Sequence, residues 1–409
     1  MEAFSVSVVI VYHVSSYSID RTSILNALST HLKIASYDLA KEMAADVPDC
    51  TLVTGCFLLT KYNGKSRQLD ELAKGLEAIL SSPCYLVVYC NEPLRELIWE
   101  QRKMHHLEQM TKMIVQEVEE LWAYQFADQI RKNREAFWPT SDPRISVEST
   151  VVVFNKFDFV QETILQNPFQ TSKFAWIDAT LGINGAKLCI DGDFHRKLMY
   201  NLKNLKDNKF HVQILNVEDK KYKEEQNKRE FYEKARWIAV GSFFATSTEV
   251  GHKILSEFKR HITRTIELGF GHGDEYFYLE VLDDYFDDIY RGYGDYMYTM
   301  DNFIVPTKGL TFVYLGAVMG NYTRQYYREA MDAAEAILHS LESSLSEPNY
   351  DMYVRVCAVL YRCYQNTDPQ KAYDMAQKIR QSYKMHPLFR QKYDELHHWI
   401  DMGDFDING

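Results

Sequence analysis

The candidate chemistry in this chain lies in carboxylates that follow apolar runs. Phe174-Ala175-Trp176-Ile177 leads directly into Asp178. A carboxylate placed where a buried strand stops has its back to the core and its oxygens outward. That is a setting in which Mg²⁺ or Mn²⁺, and the phosphates they bridge, can be held. Asp178 is therefore the candidate metal ligand, with an N-cap or turn aspartate after a strand as the plainer alternative. Asp191-Gly192-Asp193 has the outline of a DxD motif, but in KLCIDGDFH it also has the look of a hairpin turn, because glycine accepts positive φ. The stretch 269–278, GFGHGDEYFY, gathers His272, Asp274 and Glu275 among three glycines and just ahead of an aromatic run. Adjacent carboxylates there can divide the work of general base and substrate holder. A helix start whose acids merely favour the dipole is the plainer alternative. Asp295, in GYGDY (292–296), reads first as a turn residue.

A diphosphate also needs cations, and Arg67, Arg102, Lys156 and Lys173 are the candidates, although each alone also reads as a surface charge. Other chemistries are missing their signatures. There is no GxxxxGK[ST] loop, no GxGxxG after a strand, no GxSxG elbow and no HExxH.

The elements that must position these residues alternate. SVSVVIVY (5–12) predicts a strand, and an amphipathic stretch over 20–45 predicts one or two helices. Strands are expected at 49–59, 84–90 and 173–179, a loop at 63–67, and a helix at 69–80 with Leu69, Leu72, Leu76, Ile79 and Leu80 on its apolar face. From Pro93 to about Trp138 the pattern is helical and charged. Residues 146–169 predict a turn or short strand running into a helix that stops at Asn167-Pro168. The alternation argues for a mainly parallel α/β sheet, and ligands collect at the carboxyl ends of such strands. Thr54, Asn91 and Asp178 fall there, which makes them a convergent set. Residues 200–235 read as a solvated, Lys- and Glu-rich surface, 236–247 as apolar, and 249–268 as an amphipathic helix. Beyond Asn321 the chain reads as helix only, with Ala330, Ala334, Ala372 and Ala376 allowing close packing in a loosely repeat-like way. The expected organisation is a βα extension over 1–50, a main domain over 51–320 and a helical segment over 321–409.

Bulk properties narrow the function. A chain of 409 residues can hold two or three domains. The net charge of −11 argues against nucleic acid as the main partner. Seven cysteines without a CxxC pair argue against a zinc site and for reduced, buried thiols, hence for a cytoplasmic protein. No apolar run is long enough to span a bilayer.

Taken in order, TLVTGCFLL and SR (51–67), SSPCYLVVYCN (81–91), Arg102, NKFDFVQETILQNPF (155–169), WIDA (176–179), VGSFFA (240–245), GHGDEYFY (271–278) and GDY (294–296) resemble the HtrL/YibB (WlaTC/HtrL) family. The likeness covers about residues 50–305, with Thr180 where the family usually has glycine. It implies a GT-A-like fold and a glycosyltransferase that uses a nucleotide-diphosphate sugar. Asp178 takes the position of the motif aspartate. On this reading Asp178 holds Mn²⁺ or Mg²⁺, and Thr54, Arg67, Asn91, Arg102 and Lys156 bind the nucleotide sugar. Asp274 or Glu275 serves catalysis, with Asp274 slightly preferred as the base. The acceptor would be a glycan, lipid or protein. A non-catalytic sugar-binding or scaffold protein, recognising a partner through its C-terminal helices, is the alternative. A two-carboxylate glycoside hydrolase is a weaker third.

Overall fold

β1 (Cys50–Cys56) forms where CTLVTGC places Leu52 and Val53 on opposite faces, both fully buried. Burial on both faces is what a central strand of a covered parallel sheet requires. β1 pairs in parallel with β2 (Tyr85–Cys90) on one side and with β4 (Lys173–Ile177) on the other, and β2 pairs in parallel with β3 (Thr111–Val115). β6 (Ala239–Ser247) runs antiparallel to β4 and to β5 (Phe210–Ile214), and β7 (Ile289–Tyr293) is parallel to β5. The sheet order is β3-β2-β1-β4-β6-β5-β7, a mixed α/β sheet with one reversed strand. The computed structural model describes residues 47–137, 142–181, 190–234, 236–271, 273–343, 346 and 349–408. The strand and helices expected over 5–12 and 20–45 lie outside them, as does His272.

Helices cover both faces. On one, Leu72, Leu76, Ile79 and Leu80 of the helix Leu69–Leu80 pack with Leu52, Leu86 and Val88, while Leu69, expected on that apolar face, is exposed. On the other, the helices Val147–Gln166 and Thr248–Glu267 pack with Val53, Val87 and Trp176. The helix Val147–Gln166 corrects an expectation. Its β-branched run Val151-Val152-Val153 is helical, not a short strand, because Ser146 and Ser149 form a reciprocal capping box that fixes the start. It ends on Asn167 in the left-handed region (φ 36°), just before Pro168.

Two further corrections concern strands. β3 lies inside the stretch expected to be helical, and β5 inside the stretch expected to be a solvated surface. β3 is an edge strand and only partly buried, so it carries no continuous apolar run. β5 is wholly buried but short, and Lys and Asn residues surround it.

The helices Tyr327–Ser343, Tyr350–Thr367, Pro369–Met385 and Pro387–Leu396 bear out the helical reading of the C-terminal part. Ala330, Ala333, Ala334, Ile337 and Leu341 join the same core as the sheet, and the Tyr293 hydroxyl at the end of β7 donates to Asp332 at 2.5 Å. Residues from Pro48 onward form one compact unit.

Arg102, expected to bind the nucleotide sugar, is fully buried at the opposite end of the sheet from the carboxyl termini of the strands. Its guanidinium donates to the carbonyls of Leu80, Ser82 and Cys84 just before β2, and to Met110 O and Thr111 Oγ1 at the start of β3. These bonds tie together backbone groups that would otherwise be buried without partners. Arg102→Met is expected to lower unfolding free energy by about 2–5 kcal/mol in urea denaturation, with ligand binding by the folded fraction unchanged. Unaltered stability would show that these bonds are dispensable.

Candidate active site

The chain leaves β1 toward β2 and β3 on one side and returns with β4 on the other. The crevice at the carboxyl ends of β1 and β4 is therefore a topological switch point, where open α/β sheets hold ligands. A cavity of about 160 Å³ lies there. Gly55, Cys56 and Phe57 form its floor at the end of β1, and Asp178 and Thr180 its wall beyond β4. Lys156 closes the inner end, while Ser66, Arg67 and Arg144 line the rest with the first turn of the helix Val147–Gln166.

Lys156 organises the inner end. It is 2% exposed on the sheet-facing side of its helix. Its Nζ donates to Asp274 Oδ2 at 2.8 Å and to the Gly241 carbonyl at 3.0 Å, and stands 3.4 Å from Asp178 Oδ1. Trp176 Nε1 donates to the same Asp178 oxygen at 2.7 Å, fixing the carboxylate beside its own strand. Asp274 is buried, whereas the Asp178 side chain keeps 33% of its surface open. Asp274 can sit this close to β6 only because residue 241 is glycine. A Cβ there would lie 1.9 Å from Asp274 Oδ2.

The charges do not balance. Burial works against the Lys156 ammonium, but Asp178, Asp274 and Glu275 outweigh it and hold its pKa above the ordinary lysine value. Burial pushes Asp178 upward, with Lys156 opposing. Glu275 is pushed up to about 8, first by burial and then by the neighbouring Asp274. One cation thus faces three carboxylates, and Glu275 takes up a proton near neutrality. Among the described residues the buried Tyr278 hydroxyl has no hydrogen-bond partner, and burial drives it well above the usual tyrosine range.

The other expected site residues divide by place. Arg67 lines the cavity. Thr54 Oγ1 donates to the Ile177 carbonyl at 2.7 Å and fixes the end of β4 immediately before Asp178. The Asn91 side chain bonds both Leu58 N and Leu58 O at 3.0 Å, holding the chain as it leaves β1. Both are buried and act on the backbone, so they position the site and do not face its cavity. Lys173 lies at the start of β4 and engages the Leu205 carbonyl and Asp207. Asp191 pairs with Lys197 and Asp193 with Arg196 around a helix start, not a hairpin. Asp295 caps a short turn through Met297 N.

Arg144 had no part in the sequence reading, and Ser66 and Gly241 entered it only within SR and VGSFFA, without a role of their own. Arg144 and Ser66 flank the cavity from loops without motif spacing. Gly241 is required only by its distance from Asp274, which the sequence does not carry.

As for a cation, no three His, Cys, Asp or Glu side chains come together as a metal site among the described residues. Asp178 offers one oxygen, Oδ2, that no donor among the described residues occupies. Mg²⁺ commonly binds through one or two carboxylates together with substrate phosphates and water. The residue set therefore fits a cation that Asp178 holds jointly with a phosphate-bearing ligand.

Two outcomes follow from the charge arrangement. Because the folded-state pKa of Glu275 lies above 4.5, the folded protein binds more protons than the unfolded chain between about pH 4.5 and 8, so stability falls as pH rises through that window. Glu275→Gln removes this loss, and its stability should exceed wild type by about 1–3 kcal/mol at pH 8 and by much less at pH 5 in paired denaturation curves. A pH-independent difference would mean that Glu275 does not take up the proton. Gly241→Ala should expel Asp274 from its place and cost about 2–4 kcal/mol, since the Lys156 pair is broken from one side. A crystal structure of that variant with Asp274 unmoved would refute the steric account.

No curated protein sequence matches the chain. The crystal structure of mouse xyloside xylosyltransferase 1 in its apo form is similar over 59% of this chain and 84% of that one, with 11% identity and a TM-score of 0.31. The family described as "Bacterial protein of unknown function (HtrL_YibB)" matches residues 48–270. That match spans more than half of the sequence, and the chain belongs to the HtrL/YibB family.

Proposed function

We propose that the protein is a GT-A-like glycosyltransferase that moves a sugar from a nucleotide diphosphate to an acceptor hydroxyl on a glycan, lipid or protein. One observation carries this reading: a cavity at the β1/β4 switch point that joins cations to a partly open strand-end carboxylate. In the transfer, the bond from the anomeric carbon to the β-phosphate oxygen breaks and the acceptor oxygen takes its place. The diphosphate leaves with the electron pair, and the acceptor proton goes to a base. Arg67 and Lys156 offset charge on the departing phosphates, which is the main electrostatic demand of such a step. A Mn²⁺ or Mg²⁺ ion held at Asp178 with the phosphates would supply further Lewis-acid charge there.

The sequence reading prefers Asp274 as the base, but its pairing with Lys156 turns the preference to Glu275. Asp274 is locked onto Lys156 and buried. Glu275 is half-buried, and its proton affinity, with a pKa of about 8, suits proton transfer near neutral pH. Asp274 then acts through Lys156 as a positioning residue.

The alternative, a scaffold that recognises a partner through its C-terminal helices, is favoured by the exposure of Tyr373, Met385 and Trp399 in that segment. No described helix is long and apolar enough to cross a membrane. The described cysteines are all buried and unpaired, which suits the cytoplasmic location included in the proposal.

Thermal-shift measurements with a panel of nucleotide sugars, with and without Mn²⁺, separate enzyme from scaffold, because a specific ligand stabilises the fold by mass action. No shift with any of them, and no product, would favour the scaffold. With an active donor in hand, Glu275→Gln should cut turnover by ~10²-fold or more while donor affinity stays near wild type, and turnover of the wild type should rise with pH toward a plateau above about 8. Asp178→Asn should remove most of the metal enhancement of donor binding in calorimetry. Equal binding in EDTA would dismiss the metal.

A further inference from the structure

The cavity extends away from Lys156 to a second group of polar residues, of which the sequence reading assigns a role only to Arg67. We propose that Ser66, Arg67 and Arg144 form an oxyanion subsite that holds a phosphate group. Three separate observations lead there.

Arg67 and Arg144 line one cavity close enough for their like charges to oppose each other. Burial, and then the Arg144 charge, lower the pKa of the Arg67 guanidinium. A bound dianion would relieve both effects. Two carboxylates also face this pair. Asp142 takes Nε and Nη2 of Arg144, and Glu71 and Asp142 act on Arg67.

The guanidinium of Arg144 is also held ready. Its fork onto Asp142, with bonds of 2.9 Å and 2.5 Å, fixes the plane, and among the described residues Nη1 has no acceptor. A planar guanidinium with an unclaimed edge is suited to phosphate oxygens.

The third observation is Ser66. It is 7% exposed and lines the cavity, and its Oγ is buried without a hydrogen-bond partner among the described residues. Buried hydroxyls are rarely left unpartnered, and an oxyanion in the cavity would accept from it. The wall beside it is the first turn of the 20-residue helix Val147–Gln166, whose dipole favours negative charge. Ser149 in that turn is already engaged with Ser146 and is not counted as a ligand.

That the phosphate belongs to a nucleoside diphosphate rests on the transferase reading. That an oxyanion binds here does not. On the combined view the cavity grips the diphosphate from two ends, by Lys156 inside and by the arginine pair outside, leaving the sugar toward Asp178.

The test is calorimetric titration of the full-length chain with inorganic pyrophosphate and, separately, with a nucleoside diphosphate. Wild type, Ser66→Ala, Arg67→Lys, Arg144→Gln and the exposed-surface control Arg131→Gln are compared. Wild type should bind both probes, Arg144→Gln should weaken each by about tenfold or more, and Arg67→Lys and Ser66→Ala should weaken each by a few-fold. Arg131→Gln should bind as wild type does. Circular dichroism confirms folding, and the conservative Arg67→Lys and Ser66→Ala keep the test usable should loss of Arg144 disturb the Asp142 turn. Affinity unchanged in folded Ser66→Ala and Arg67→Lys, or no binding by wild type, overturns the subsite. Pyrophosphate binding that depends on these residues, without any sugar transfer, keeps the subsite and removes the transferase.

Discussion

The arrangement at the strand ends depends on one buried ammonium. Lys156 reaches from a helix to the ends of two strands and to the loop after residue 271, and it bonds to a carbonyl, holds one carboxylate and stands beside another. Without it, Asp178 and Asp274 would be partly desolvated like charges with no compensation, a state that proteins usually escape by taking up a proton. With it, both carboxylates have a fixed place. An ion network of this kind adds little net stability on its own, since desolvation offsets most of the attraction. Its effect is to decide where the charge sits.

Around this centre the fold supplies rigid supports rather than ligands. Thr54 secures the end of β4, Asn91 secures the exit from β1, and Arg102 secures the far ends of β2 and β3. Polar side chains at these points spend their hydrogen bonds on backbone. That leaves the cavity to Lys156, Asp178 and the residues of the loops, whose positions are then fixed from behind.

The sequence carries the sheet's central strands clearly, because β1, β2 and β4 are short, nearly continuous apolar runs bounded by polar residues. It hides β3 and β5. The first is an edge strand whose pattern is too mixed to register, and the second is a five-residue run set among lysines. The helix Val147–Gln166 contains a valine run that favours strand locally, and the capping serines with the long tertiary contact decide otherwise. At the site, a carboxylate at a strand end and an acid pair after glycines are visible as types and spacing. Which lysine meets which carboxylate depends on contacts more than a hundred residues apart, as between Lys156 and Asp274. Arg102 illustrates the converse: a basic residue in a family-like order of motifs serves the backbone.

The core on the Val147–Gln166 side is one cluster running from Val53 through the sheet to Leu396 and Met402. Its strands also pair out of order, β1 with β4 and β4 with β6. As the chain emerges from the ribosome, β1 therefore lacks one neighbour until β4 is made, and β4 lacks one until β6 is made. Long-range pairing of this kind is slow to form, and exposed strand edges invite association in the interval.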